Sequence, residues 1–119
     1  MRVLIVEGNA DLAGVWCRHL ERRGYGVTQA GSQTEAISAL QSGDVDIIIL
    51  DLVLEEGSAF AVADFASYRR PSARVIFVTN TSFFSDGSIF QHVPNACAMM
   101  TSQLAPEDLG ALVEHYGQH

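Results

Sequence analysis

The chain contains no lysine. Its seven basic residues are all arginine, they face 14 aspartate and glutamate residues, and the formal net charge is −7. A protein that binds nucleic acid needs a basic surface to neutralise phosphates. The composition therefore argues against nucleic acid as a partner.

Long apolar runs and paired cysteines are also missing. No apolar stretch approaches the roughly 20 residues that cross a bilayer. Met1 and Arg2 lead directly into a strand-like segment, so no signal peptide is predicted. Cys17 and Cys97 match no metal-binding spacing and are too few for a disulfide scaffold. We therefore expect reduced core thiols, no membrane partner and a cytoplasmic location.

The length and the apolar content are those of one compact domain. The chain has 119 residues, and hydrophobic residues make up 48% of it. A chain of this size forms one ordinary core. Because no repeat, linker or low-complexity segment interrupts it, we predict a single domain over residues 1–119.

Short strand-like runs alternate with segments of helical period along the whole chain. Five runs are typical of strands: residues 2–6, 25–30, 47–50, 73–79 and 96–101. Five segments are typical of helices: residues 9–24, 32–43, 58–71, 85–92 and 105–116. Such alternation predicts an α/β fold in which helices cover both faces of a parallel sheet.

Local signals mark where the first two helices begin. Asn9 is a predicted N-cap, and Ser32 with Glu35 three residues later forms a predicted capping box. The first helix carries an apolar stripe at helical spacing, formed by Leu12, Val15, Trp16, His19 and Leu20. These signals predict helices that pack one face against the sheet.

A carboxylate stands where a buried strand would end. Asp51 directly follows the aliphatic run Ile47–Leu50, and burying its charge is costly unless the charge is used. Glu7 ends the first predicted strand and Thr79 ends the fourth. Ligand sites of open α/β sheets lie at the carboxyl ends of the strands. We therefore predict a functional site at this edge, with Asp51 at its centre.

Four stretches together resemble the receiver domain of two-component response regulators. They are "VLIVEGNADL", "DIIILDLVL", "RVIFVTNT" and "SQLAPEDLGALV", taken with the order of the elements. The resemblance implies a flavodoxin-like (βα)5 three-layer sandwich with strand order 2-1-3-4-5. It also implies a role in a phosphorelay, in which a histidine kinase or a phosphotransfer protein supplies a phosphoryl group.

The resemblance assigns roles to individual residues. Asp51 takes the position of the phosphoacceptor, and Thr79 and Ser102 take positions that contact the phosphoryl group. Mg²⁺ would be held by Glu7, Asp51 and the backbone carbonyl of Val53. Beyond self-phosphorylation from a phosphodonor, no enzymatic activity is implied.

Several residues depart from the pattern of the family. The second acid of the metal site is Gly8, and the usual lysine and proline after the fifth strand are Ser102 and Gln103. Met99 stands where an aromatic is common, and Ala59 replaces a glycine. Losing a carboxylate and an ammonium group weakens Mg²⁺ binding and phosphoryl transfer. We therefore expect both to be impaired.

An apolar cluster falls on the face that receivers use for docking, formed by the fourth helix, the fifth strand and the fifth helix. Its members are Phe83, Phe84, Phe90 and Met99. A downstream protein or a second copy of the chain would bind there.

Three alternative functions use the same fold. The first is a pseudo-receiver that binds partners independently of phosphorylation, and it stays open. The second, a flavodoxin-like cofactor binder, has no glycine-rich phosphate loop in "EGNADL" to support it. The third, a hydrolase, has no nucleophile elbow.

Overall fold

The computed structural model describes residues 1–54, 56–79, 93, 95–101 and 104–117. Its strands are β1 (Arg2–Val6), β2 (Gly26–Ala30), β3 (Ile47–Asp51), β4 (Arg74–Thr79) and β5 (Ala96–Thr101). Its helices are α1 (Ala10–Arg22), α2 (Gln33–Ser42), α3 (Ala59–Arg69) and α4 (Pro106–Gly117). The predicted fourth helix, residues 85–92, lies outside the described residues, so α4 corresponds to the predicted fifth helix. No helix in the described part is long and apolar enough to span a membrane.

The five strands form one parallel sheet in the order β2-β1-β3-β4-β5. The predicted α/β architecture and the strand order implied by the resemblance are both confirmed. Because all strands run the same way, their carboxyl ends lie at one edge of the sheet. Glu7, Asp51 and Thr79 follow or close three neighbouring strands at that edge.

The three central strands are mostly aliphatic, and all but their end residues are buried, as expected for strands covered on both faces. Side chains alternate between two core clusters on opposite faces of the sheet. Towards α2 and α3 point Leu4, Val6, Ile48, Leu50, Val75 and Phe77. Towards α1 and α4 point Val3, Ile5, Ile47, Ile49, Ile76 and Val78.

The predicted helix starts are confirmed, with one shift. The Asn9 side chain accepts hydrogen bonds from the backbone N–H groups of Asp11 and Leu12 at 3.1 and 3.2 Å. Ser32 Oγ accepts from the N–H of Glu35 at 3.2 Å. The reciprocal bond of the capping box is displaced by one residue, because Glu35 Oε1 accepts from Gly31 N–H at 2.7 Å.

The apolar stripe of α1 is narrower than its sequence indicates. Ala13, Trp16, Cys17 and Leu20 are buried, whereas the Val15 side chain is 41% exposed. Val15 therefore lies beyond the part of the helix that the sheet covers.

A β-bulge at Cys97 was not predicted. Val75 pairs with Ala96 and Ile76 pairs with Ala98, so Cys97 has no partner in the ladder. The extra residue resets the alternation of β5, and Cys97 is only partly buried instead of lying in the core. Met99 consequently packs towards α2 and α3.

Candidate functional site

Two carboxylates stand side by side at the carboxyl ends of β1 and β3. Val6 pairs with Leu50, and Glu7 and Asp51 are the next residues on each strand. Strand alternation directs both side chains to the face that packs against α1 and α4. The predicted pairing of Glu7 with Asp51 is thus present in the structure.

Glu7 is buried to an unusual degree for a carboxylate, with 8% of its surface exposed. Its backbone N–H donates to Ala30 O at 3.0 Å, which fixes it beside the end of β2. The Asn9 backbone N–H donates to its carboxylate. The second carboxylate oxygen, Oε2, is buried and has no hydrogen-bond partner among the described residues.

The neighbourhood of Glu7 favours its protonated form. Burial, followed by a hydrogen bond and charge repulsion from the adjacent Asp51, raises the pKa of Glu7 from 4.5 to about 8. Charge on Glu7 is therefore disfavoured as long as no cation lies beside the two acids.

Asp51 is better solvated than Glu7 and carries the last position of β3. It is half-buried, and its Oδ1 accepts a hydrogen bond from the Val53 backbone N–H at 3.0 Å. Leu52 N–H donates to Val78 O at 2.9 Å, so the chain continues along β4 for one more residue. The Val53 side chain is 66% exposed. Asp51 is therefore open to solvent, whereas Glu7 lies beneath the surface.

Thr79 is the last residue of β4. It directly follows Val78, which pairs with Asp51, and it is 4% exposed. The register therefore places Thr79 next to the ladder partner of Asp51 and not directly opposite Asp51.

The oxygen atoms at this edge fit a small divalent cation. Mg²⁺ takes oxygen ligands, keeps several of its waters and is commonly bound through one or two carboxylates. Glu7 Oε2 is a buried acceptor without a donor, and Asp51 stands beside it. The described residues contain no group of three or more histidine, cysteine, aspartate or glutamate side chains suited to a metal. A cation here would therefore depend on two carboxylates, on backbone carbonyl oxygens and on water.

Gly8 has room for a side chain. A Cβ atom built on Gly8 would meet only Gly31 O, at 3.8 Å, which is an ordinary contact. Packing therefore does not require glycine between Glu7 and the start of α1, and an acid at this position would fit.

The other predicted site residues are only partly within the described chain. Met99 lies on β5 and is partly buried against α2 and α3. Ser102, Phe83, Phe84 and Phe90 lie outside the described residues, so the predicted phosphoryl contact and most of the predicted interface stay predictions.

One contact near Asp51 was not foreseen from the sequence. Gln33, the first residue of α2, binds the segment between Asp51 and α3 through both its backbone and its side chain. The only local signal is Gly57, whose positive φ of 94° marks a tight turn beside this contact.

The chain is similar in sequence to response regulators. Residues 3–91 match the family model of the response regulator receiver domain. Response regulator SaeR of Staphylococcus aureus (strain USA300) is 31% identical over 77 residues, which cover 65% of this chain and 33% of SaeR. The chain thus spans about a third of the length of the curated relatives it matches.

Solved receiver structures share the fold. A response regulator from Burkholderia pseudomallei, solved with a phosphorylated aspartic acid, a calcium ion and citrate, gives a TM-score of 0.84 at 24% identity and covers 98% of this chain and 68% of that one. Response regulator TrrA from Thermotoga maritima, in complex with Mg²⁺ and BeF, gives 0.82 at 22% identity and covers 97% of each chain. At these identities the likeness establishes the fold alone.

Proposed function

Because the chain belongs to the response regulator receiver family, we propose that it receives the phosphoryl signal of a two-component system on Asp51. One observation carries the proposal: Asp51 ends β3 in partial contact with solvent, beside a buried Glu7 oxygen that has no hydrogen-bond partner among the described residues. An acid that accepts a phosphoryl group must be accessible, and a cation beside it needs a second oxygen ligand. The two carboxylates meet both requirements.

The proposed reaction is the transfer of a phosphoryl group to a carboxylate. An Asp51 oxygen attacks phosphorus and forms an acyl phosphate, while the bond from phosphorus to the donor nitrogen or oxygen breaks and the leaving group keeps the electron pair. Imidazole from a phosphohistidine takes up a proton as it leaves. Mg²⁺, when bound, offsets the negative charges that this step brings together.

Individual residues support the step in different ways. Glu7 and Asp51 would hold the cation with the Val53 carbonyl, and Val53 N–H already fixes one Asp51 oxygen. Thr79 and Ser102 are the proposed hydroxyl donors to the phosphoryl group. Solved structures of the same fold from Burkholderia pseudomallei and Thermotoga maritima contain a divalent cation, and one of them a phosphorylated aspartic acid, which supports a cation and a phosphoacceptor aspartate in the proposal.

We propose that the reaction is slow and that Mg²⁺ binds weakly. Gly8 removes one acidic ligand, and a chain without lysine has no ammonium group for the phosphoryl oxygens. A charge-assisted hydrogen bond contributes about 1.5–3 kcal/mol, so losing it slows the transfer by roughly ten- to a hundredfold.

Partners of the proposed receiver are proteins. The phosphoryl donor would be a histidine kinase or a phosphotransfer protein. Output would pass through contacts on the face of the predicted fourth helix, β5 and α4, either with a downstream protein or with a second copy of the chain. We propose no enzymatic activity beyond self-phosphorylation, and no contact with nucleic acid.

Intact-mass measurement tests the proposal. The protein is incubated with Mg²⁺ and acetyl phosphate, beside an Asp51→Asn variant and an ordinary receiver as a positive control. We expect a gain of one phosphoryl group that the variant lacks and that EDTA abolishes. The proposal fails if the ordinary receiver is modified and this chain is not.

A second function is favoured by Gly8 and the missing lysine, namely a pseudo-receiver that binds its partner independently of phosphorylation. It predicts no Mg²⁺ binding at millimolar concentration and unchanged partner affinity in Asp51→Asn. Isothermal titration with Mg²⁺ separates the two functions, because a millimolar or tighter affinity that Asp51→Asn loses would exclude the second one.

A further inference from the structure

Gln33 connects the start of α2 to the segment that follows Asp51. Its side-chain Oε1 accepts a hydrogen bond from Ser58 N–H at 2.8 Å. Its backbone N–H donates to Glu56 O at 3.2 Å. One residue therefore binds the chain on both sides of Gly57, and its side-chain partner Ser58 is 25 residues away in sequence.

Gly57 shows how closely the two parts approach each other. Its φ is +94°, a backbone conformation that is unfavourable for residues with a Cβ atom. A Cβ atom added to Gly57 would also overlap Cβ and Oε1 of Gln33. The contact thus depends on glycine at 57 and on a side chain at 33 that is long enough to reach Ser58. A side chain on residue 57 would push the segment away from α2.

The chain between Asp51 and α3, described at residues 52–54 and 56–58, is held near both of its ends. At its start, Leu52 N–H binds Val78 O on β4. At its end, Gln33 holds Glu56 and Ser58. Between the anchors, Val53 N–H donates to Asp51 Oδ1. The orientation of the Asp51 carboxylate therefore depends on a backbone whose far end is held by α2.

We propose that Gln33 is a positioning residue of the Asp51 site: by holding Glu56 and Ser58, it keeps Val53 N–H directed at the Asp51 carboxylate. The functional part of this inference rests on the proposed phosphoacceptor role of Asp51. Gln33 does not contact the reacting atoms. Its loss lowers the fraction of molecules in which Asp51 and the Val53 carbonyl are correctly placed.

Three variants separate the hydrogen bond from helix packing. Gln33→Met keeps the length of the side chain and removes the acceptor. Gln33→Glu keeps an acceptor for Ser58 N–H. Gln41→Met is the matched control, because Gln41 is an exposed glutamine on the same helix, and it tests the cost of the same change away from the site.

The first measurement is the NMR solvent-exchange rate of the Ser58 and Val53 amides in metal-free protein. We expect both rates to rise in Gln33→Met, roughly three- to tenfold, which corresponds to losing one hydrogen bond. They should return towards the wild-type rates in Gln33→Glu and stay unchanged in Gln41→Met. An unchanged Val53 rate in Gln33→Met overturns the inference, whether or not Asp51 is ever phosphorylated.

The second measurement is the rate of mass gain with acetyl phosphate and Mg²⁺. We expect Gln33→Met to react several-fold more slowly than wild type, while its thermal midpoint stays close to that of Gln41→Met. Equal rates for Gln33→Met and wild type overturn the positioning role. A wild-type protein that is not modified contradicts the proposed function instead, and the Val53 exchange rates then decide the inference on their own.

Discussion

The acids at the two ends of β1 and β3 differ in their hydrogen bonding. At the amino ends, Asp46 Oδ2 accepts a hydrogen bond from Arg2 N–H at 2.8 Å, while Asp46 N–H binds Arg2 O at 2.9 Å. At the carboxyl ends, Glu7 carries a buried oxygen that has no hydrogen-bond partner in the described part of the chain, and burial beside Asp51 raises its pKa to about 8. At one end of the two strands the carboxylate has a hydrogen-bond donor, and at the other end two carboxylates repel each other.

This difference separates an acid that stabilises the fold from acids kept for a ligand. A carboxylate with a backbone donor contributes to stability, whereas two adjacent carboxylates oppose folding when both are charged. Strained and unsatisfied groups concentrate where a protein binds or reacts. The edge formed by the carboxyl ends of the strands, which we call the carboxyl edge, is therefore less stable than it could be and is the best candidate for binding a ligand.

The largest expected effect comes from removing the charge of Glu7. The pKa of Glu7 in the folded chain exceeds its ordinary value, so the folded state holds the proton more tightly. That stabilisation is complete below about pH 4.5 and is lost as pH rises through about 8. Full linkage for such a shift is about 5 kcal/mol, and solvent at the open edge reduces it to an expected order of 2 kcal/mol.

Glu7→Gln should therefore stabilise metal-free protein at pH 9 by on the order of 2 kcal/mol, a rise of roughly 6–12 °C in thermal midpoint. At pH 4 the two proteins should melt together. Exposed Glu107 supplies the control, since Glu107→Gln should show no comparable pH-dependent difference. If the thermal midpoints of Glu7→Gln and wild type changed in parallel with pH, the raised pKa of Glu7 would be contradicted.

The next largest effect is expected from a third acid beside Glu7 and Asp51. Gly8→Asp should raise Mg²⁺ affinity about tenfold, equivalent to about 1.4 kcal/mol, because Gly8 has room for a side chain and each added carboxylate strengthens a hard-cation site. Without metal at pH 9, the same variant should be less stable than wild type, since like charges accumulate. Isothermal titration and thermal melts measure these two changes.

Gly8→Asn is the matched control for the added charge. It has a similar size and should gain little Mg²⁺ affinity. Equal affinities of Gly8→Asp and wild type would show that Glu7 and Asp51 do not hold the cation.

A smaller effect is expected at the amino end. Asp46→Ala should destabilise the protein by about 1 kcal/mol in urea unfolding, because Arg2 N–H loses its acceptor. Asp46→Asn keeps an acceptor oxygen and should lose less. Neither variant should change Mg²⁺ affinity, and a change in that affinity would show that the two ends are coupled.

The smallest effect is expected for Asp44, which lies two residues before Asp46. Its carboxylate is 3.0 Å from the Arg70 guanidinium, but the Asp44 side chain is 89% exposed. Pairs of this kind contribute little, so Asp44→Ala should cost a few tenths of a kcal/mol at most. Arg70 still donates to Leu40 O at 3.0 Å, which joins α3 to the end of α2. A loss above about 1 kcal/mol in urea unfolding would contradict this assignment of a surface pair.

Sequence patterns located most of the regular structure because their causes are local. β3 was expected at residues 47–50 and is Ile47–Asp51, one residue longer. The caps at Asn9 and Ser32 were identified from side chains that bind the backbone two or three residues away. The bulge at Cys97 escaped prediction because it arises from how β5 fits beside β4. No local pattern in "NACAMMT" records that fit.

The candidate site was predictable only in outline. Glu7 and Asp51 could be predicted to lie together, because they end neighbouring parallel strands and the strand order alone places them side by side. How deeply each carboxylate lies could not be predicted, although Glu7 is buried and Asp51 is partly exposed. Burial is a property of the assembled layers.

By itself, the sequence determined the alternation of strands and helices, the helix starts and the two acids at one edge. These depend on side-chain periodicity and on contacts a few residues apart. Tertiary structure alone decided how deeply Glu7 is buried and which distant groups form hydrogen bonds, such as Arg2 with Asp46 and Ser58 with Gln33. Desolvation and hydrogen bonds between distant segments exist only after the layers have packed, so they set the pKa of Glu7 and the position of the segment behind Asp51.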